Sequence, residues 1–232
     1  MAKRWIVFSG WAVDPGVLAP LFPSTAIVIN SCSVIPGLLA GNVLRADWKE
    51  RLVEQSGLPF PLTTYGVAGW STGAMLAYAL ARAVHPAVCV LLSATPSFRR
   101  TKDFPFGHKL SVMRAMREGL QHSPDKVINA FYAKCGLSRE GARPSTTSLR
   151  SNELTAGLHF LEQAVLFPVE QLTCPTLVLH GREDAIVPFQ AGRFFSEKIN
   201  GSFASFQGPH AFFNARYEEV RQTIERFAEK AA

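Results

Sequence analysis

Charge is scarce in this chain: Asp, Glu, Lys and Arg make up 18% of its 232 residues, against 47% in the hydrophobic set. That balance excludes a disordered or solvating polypeptide and predicts one sizeable core. Long apolar runs are also missing. None approaches the roughly 18 residues that cross a bilayer, so no membrane association is expected. The start carries Lys3 and Arg4, but Trp5-Ile6-Val7-Phe8 is far too short for the apolar region of a secretory signal. Cysteine is sparse: Cys32, Cys89, Cys135 and Cys174 stand far apart, with no C-x-x-C pair and no histidine cluster at zinc-ligand spacing. This usage fits free thiols in a reducing compartment, and the cytoplasm is the expected location. No internal repeat and no low-complexity tract is found.

The positive charge is local. Lys and Arg number 24 against 18 Asp and Glu, a formal net charge of +6. Eleven of the basic side chains lie between residues 99 and 150: Arg99, Arg100, Lys102, Lys109, Arg114, Arg117, Lys126, Lys134, Arg139, Arg143 and Arg150. Only Asp103, Glu118, Asp125 and Glu140 oppose them there, so the window carries +7 and the remainder −1. Such a field gathers an anionic partner over about 8–10 Å. Nucleic acid is not expected, because the window has no zinc finger, aromatic RNA-binding signature or basic heptad. A merely solvated basic face is the alternative.

Short apolar runs recur at Trp5–Ser9, Ala26–Asn30, Thr64–Ala68, Ala87–Ser93, Pro175–His180 and Ser202–Phe206. Unbroken runs such as Val88-Cys89-Val90-Leu91-Leu92 suit strands covered on both faces, as in a parallel sheet. Helical patterns alternate with them at Thr72–Val84, Phe189–Ile199 and Arg216–Lys230; in the last, Val220, Ile224, Phe227 and Ala228 form an amphipathic stripe. This alternation predicts a doubly wound α/β fold with a mostly parallel sheet of about six strands. The interval 95–172 breaks it and reads as helices only. One follows Gly107, one is entered by Ser123-Pro124 as cap and first residue, and one contains Leu154, Leu158, Leu161 and Val165. The expected organisation is a core of residues 1–94 and 173–232 with a basic helical lid, 95–172, inserted after the fourth strand.

Gly69-Trp70-Ser71-Thr72-Gly73 is the strongest chemical signal, placed between a strand and an Ala-rich helix. A serine hydroxyl becomes a useful nucleophile only when held clear of the backbone and given a base. A tight strand-to-helix turn does the first, and it crowds the flanking positions so that glycine is required. For the base, His210 in Gly208-Pro209-His210-Ala211 follows the last strand and falls on the same sheet edge as Ser71. His85, His108, His122 and His159 lie at a helix end or in the lid, and His180 reads as part of a turn. Asp184 is the expected carboxylate, four residues beyond its strand, with Glu183 as runner-up. Backbone N–H groups of Thr72, at the helix start, and Trp11, after the first strand, are the expected oxyanion donors; plain core packing is the alternative for Trp11. No metal or organic cofactor is called for.

These motifs together resemble the α/β-hydrolase superfamily. Gly10-Trp11, the Gly-Trp-Ser elbow, Ser93-Ala94-Thr95-Pro96-Ser97-Phe98 before Asp103-Phe104-Pro105, and Gly157-Leu158 with Leu161 resemble more narrowly the pimeloyl-[acyl-carrier protein] methyl ester esterases of biotin synthesis. The chain departs from many relatives in having Ser9-Gly10 where they have His-Gly, and in beginning at the first central strand. The resemblance implies a serine esterase acting on an acyl-carrier-bound methyl ester. It implies that Phe131, Tyr132, Ala133, Lys134 and Cys135 contact the acyl chain, although ordinary lid packing fits the same spacing. It also implies an acidic acyl-carrier protein docking on the basic lid, small esters as further substrates, and a monomer. A short-chain carboxylesterase, an acyl-carrier thioesterase, a carbon–carbon lyase of quinone synthesis and a non-catalytic binding protein remain alternatives.

Overall fold

The apolar runs form a parallel sheet in the computed structural model, which describes residues 4–55, 61–138 and 151–231. In chain order the elements are β1 (Arg4–Phe8), β2 (Ile27–Ile29), α1 (Ser31–Val34), β3 (Leu39–Ala40), β4 (Val43–Leu44), α2 (Trp48–Gln55), β5 (Tyr65–Trp70), α3 (Thr72–Val84) and β6 (Val88–Leu92). There follow α4 (Leu110–His122), α5 (Pro124–Cys135), α6 (Ser151–Gln163), β7 (Thr176–Gly181), α7 (Phe189–Lys198), β8 (Ser202–Phe206) and α8 (Tyr217–Lys230). The six-stranded sheet runs β2-β1-β5-β6-β7-β8, with every neighbouring pair parallel. All six strands read from the sequence are present. Strands β5, β6 and β7 are buried at every residue, which is why they carry no polar alternation. Helix α3 is buried from Thr72 to Ala81, so the sheet and its neighbours enclose it.

Between β6 and β7 the chain forms α4, α5 and α6, and isolated bridges pair Ser97 with Val165, Arg99 with His108 and Thr101 with Phe104 within this segment. Two details differ from expectation. Ser123 precedes α5, but its side chain makes no capping hydrogen bond; its carbonyl instead accepts from Lys126 and Val127 N–H. Helix α6 ends at Gln163, and Val165 lies beyond it in an antiparallel bridge to Ser97, because the chain extends there to return toward β7. The β3–β4 hairpin, α1, α2 and the 3-10 turns Pro15–Leu21 and Ile35–Leu38 carry no strong sequence period and are additions.

Arg100, Lys102, Lys109, Arg114, Lys126 and Lys134 are exposed and form no ion pair among the described residues. Arg117 differs: it pairs with the buried Glu162 at 2.5 Å and contacts His159 Nδ1 at 3.2 Å, clamping α4 to α6. Lys3, Arg139, Glu140, Arg143 and Arg150 lie outside the described residues. The four cysteines are free thiols, and no helix among the described residues is long and apolar enough to cross a membrane.

Helix α8 buries Val220, Ile224 and Ala228 in the core, with Phe227 partly buried, and packs on the 3-10 turn Pro15–Leu21. Ile224→Ala should lower unfolding free energy in urea by about 2–5 kcal/mol, whereas the exposed Arg226→Ala should change it by no more than about 0.5 kcal/mol.

Candidate active site

Ser71 occupies the turn between β5 and α3 with φ 60° and ψ −120°, a conformation an L-residue keeps only when its surroundings hold it. The surroundings do so. Its N–H donates to Leu92 O at 2.9 Å, and its carbonyl accepts from Ala74 N–H at 2.9 Å. The flanking glycines are sterically required: a Cβ on Gly69 would stand 2.1 Å from Gly73 O, and one on Gly73 would stand 2.3 Å from Phe8 O and 2.4 Å from Ser9 O. The elbow therefore presses directly on the end of β1.

That contact brings the loop after β1 beside the serine. Ser9 is buried; its Oγ accepts from Ser31 N–H at 3.3 Å, and its carbonyl accepts from the Ser31 hydroxyl at 2.5 Å. A serine pair thus supports the loop. Trp11 is buried, and its indole N–H donates to Leu154 O of α6 at 2.9 Å. Ala12 takes φ 57°, its N–H donates to Cys32 Sγ at 3.3 Å, and its carbonyl accepts from the Tyr132 hydroxyl at 2.6 Å. Burial pushes the Cys32 thiol up to about 11, so it stays neutral at that contact. The backbone N–H groups of Trp11 and Thr72 are engaged by no hydrogen bond among the described residues.

On the same edge, His210 Nδ1 lies 2.7 Å from Asp184 Oδ2, both side chains fully buried. Opposite a carboxylate, Nδ1 is the protonated nitrogen, so Nε2 of the neutral ring carries the lone pair. Nε2 is buried and has no partner among the described residues; it is not hydrogen-bonded to Ser71 Oγ. The His210 carbonyl accepts from Trp70 Nε1 at 3.1 Å and from Ser93 Oγ at 2.9 Å, and the Trp70 and His210 ring centroids are 5.2 Å apart. His210 is thereby tied to the residue preceding Ser71.

Asp184 is fixed at both oxygens. Oδ1 accepts from Ile186 and Val187 N–H, each at 2.8 Å, while Oδ2 faces His210 and also His180 Nε2 at 3.3 Å. Burial pushes this carboxyl up, but the charge and hydrogen bonds of His210 and His180 outweigh it and hold the group well below the usual carboxylate range. His180 is not a turn residue: it lies within β7, fully buried, and its Nε2 is also 2.9 Å from Val187 O. A Cβ on Gly192 of α7 would stand 2.1 Å from its Nδ1, so the glycine admits the ring. The pair His180 and Gly192 has no sequence signature that separates it from ordinary core. Glu183 is exposed and hydrogen-bonded to Gln207, away from the imidazoles.

Ser71, Thr72 and Trp11 line one cavity of about 270 Å³. Its other walls are apolar, from Phe98, Val112, Met113, Met116, Val127, Phe131, Leu158 and Leu161, with Lys134 and His108 as polar members. His108, which sequence reasoning set aside, approaches Ile186 O at 2.6 Å through Nε2 and so links the insert to the Asp184 loop. Of the five residues proposed along α5, Phe131 and Lys134 face this cavity. Tyr132 and Cys135 turn into the core and Ala133 faces outward, because the helical period gives the cavity only one side of α5. His85 caps α3 in a left-handed conformation, and His122 contacts Glu118 O.

No protein-family model matches the chain. Its sequence is 27% identical to the pimeloyl-[acyl-carrier protein] methyl ester esterase of Nitrosomonas europaea, covering 84% of this chain and 82% of that protein. It is 24% identical to the protein of the same name from Chromobacterium violaceum, over 98% and 94% of the two chains. Among solved structures, a hydrolase from Oleispira antarctica superposes with a TM-score of 0.76 at 14% identity, covering 98% of this chain and 91% of that one. The esterase EaEST from Exiguobacterium antarcticum gives 0.72 at 15% identity, covering 98% and 92%. The chain is therefore an α/β-hydrolase in fold, and in sequence it is similar to proteins named pimeloyl-[acyl-carrier protein] methyl ester esterase.

Proposed function

We propose that this chain is a serine carboxylesterase that hydrolyses the methyl ester of pimeloyl-acyl-carrier protein in biotin synthesis. The observation that carries the reading is Ser71 on a strained elbow at the wall of an apolar cavity, with the preceding Trp70 hydrogen-bonded to His210 of a buried Asp184–His210 pair. The sequence relatives supply the substrate class.

In this reading His210 Nε2 takes the Ser71 proton as Oγ attacks the ester carbonyl, and the contact between them closes when substrate is bound. The N–H groups of Thr72 and Trp11 receive the oxyanion. Asp184 holds the imidazole tautomer and stabilises imidazolium. His210 then returns the proton to the leaving methoxide, releasing methanol, and water hydrolyses the acyl-enzyme by the same relay. The apolar cavity takes the acyl chain. Residues 95–172 act as the lid, and their exposed basic side chains receive the acidic carrier.

Three variants test this. Ser71→Ala should reduce hydrolysis of a short-chain p-nitrophenyl ester by about 10⁶-fold with the fold intact, block fluorophosphonate labelling, and fail to complement a biotin auxotroph lacking its own esterase; substantial residual turnover would refute the nucleophile. Asp184→Asn should lower kcat by about 10⁴-fold. A carboxyl held below its ordinary value favours folding above about pH 4 and loses that contribution as pH falls through the folded-state value. The stability lead of the parent over Asp184→Asn should therefore shrink on acidification below about pH 4, and a gap that widens there would contradict the assigned environment. Finally, Arg114→Glu with Lys126→Glu should impair carrier-linked substrate while leaving small esters unaffected; equal losses on both would remove carrier docking.

A further inference from the structure

We propose that Tyr132 is a positioning residue for the oxyanion hole: its hydroxyl fixes the Ala12 carbonyl and so aims the adjacent Trp11 N–H. The proposal rests on the serine-esterase reading above and deepens it. Tyr132 is 2% exposed and does not line the cavity that its neighbours Phe131 and Lys134 line. Its oxygen instead reaches 120 positions back along the chain to Ala12 O at 2.6 Å. Ala12 is left-handed at φ 57°, a conformation that an alanine keeps only under restraint. Restraint comes from both ends of the residue, since its N–H is held by Cys32 Sγ at 3.3 Å.

The peptide carrying the Trp11 N–H is bracketed on its other side as well. Ser9 N–H donates to Ile29 O at 3.0 Å, and Ser9 O accepts from the Ser31 hydroxyl. The Trp11 indole cannot swing, because it donates to Leu154 O at 2.9 Å, meets the Phe131 ring edge-on at 5.0 Å, and lies where a Cβ on Gly157 would stand 2.4 Å away. Without the tyrosine hydroxyl the Ala12–Val13 peptide loses its anchor to α5, and relaxation of Ala12 turns the Trp11 peptide. An oxyanion donor is useful only when preoriented toward the developing charge, so a small rotation weakens the transition state more than the bound ester. Helix α5 thus supplies both a wall of the acyl cavity and the clamp on the catalytic loop.

The test compares the parent, Tyr132→Phe and Ser71→Ala on a short-chain p-nitrophenyl ester, with the inhibition constant of a trifluoromethyl ketone measured in parallel. Tyr132→Phe, with its thermal transition retained, should lower kcat about 10- to 100-fold while KM stays within about twofold. Affinity for the ketone, whose serine adduct carries the oxyanion, should fall by the same factor as kcat/KM. An unchanged kcat, a raised KM alone, or a kcat loss with undiminished ketone affinity overturns the proposal. Should Tyr132→Phe fail to fold, Cys32→Ala frees the other end of Ala12 and is judged by the same criteria. An active Ser71→Ala would instead defeat the underlying esterase reading, which separates the two failures.

Discussion

The contact between Gly73 and the carbonyls of Phe8 and Ser9 is the constraint on which the rest of the site depends. Strands β1 and β5 are hydrogen-bonded neighbours, with Phe8 paired to Gly69, so the loops leaving them emerge side by side. Only a residue without a side chain at position 73 lets those loops close to van der Waals distance. That approach brings Trp11, Ser71 and Thr72 to the wall of one cavity. The left-handed serine itself costs about 1–3 kcal/mol. Burial of every residue of β5 and of the first ten residues of α3 offsets it, since neither element can relax without opening the core.

A second constraint is electrostatic. Asp184 is buried, and a buried carboxylate survives only when its oxygens are fully engaged. Here two backbone N–H groups hold one oxygen and two imidazoles face the other. The Ile186 and Val187 donors belong to the loop that also lines the cavity or contacts His108 and His180, so the acid, the cavity wall and the insert share one short segment. His180 does not line the cavity and faces the pair through Asp184.

The strands, α3, α7, α8 and the chain positions of Ser71, Asp184 and His210 were legible because each leaves a local mark. Unbroken apolar runs mark covered strands, a glycine pair marks the elbow, and loop residues after strands fall on one sheet edge. His180 was misread because the signal that separates a strand end from a turn is weak in His180-Gly181-Arg182. The ring's placement is decided by Gly192, a partner on another element. Tyr132 was assigned to the acyl chain by the family resemblance, with ordinary lid packing as the alternative that its spacing with Phe131 and Cys135 allowed. Spacing gives the face of a helix but not which of two surfaces that face meets, and here α5 sits between the cavity and the Ala12 loop. Arg117 was counted as a surface charge for a similar reason, since its partner Glu162 is 45 residues away in the chain.

The insert is bound to the catalytic loops more closely than a simple cover needs to be. Trp11 donates to Leu154, Ala12 accepts from Tyr132, Ala211 N–H donates to Cys135 O at 2.9 Å, and His108 meets Ile186. Gly136, left-handed at φ 74°, lets the end of α5 close on Pro209, where a Cβ would stand 2.3 Å from the ring. The loops that carry Trp11, Asp184 and His210 are thus each pinned by the insert. Lifting α5, α6 and the His108 segment away from these loops would break all of these contacts together.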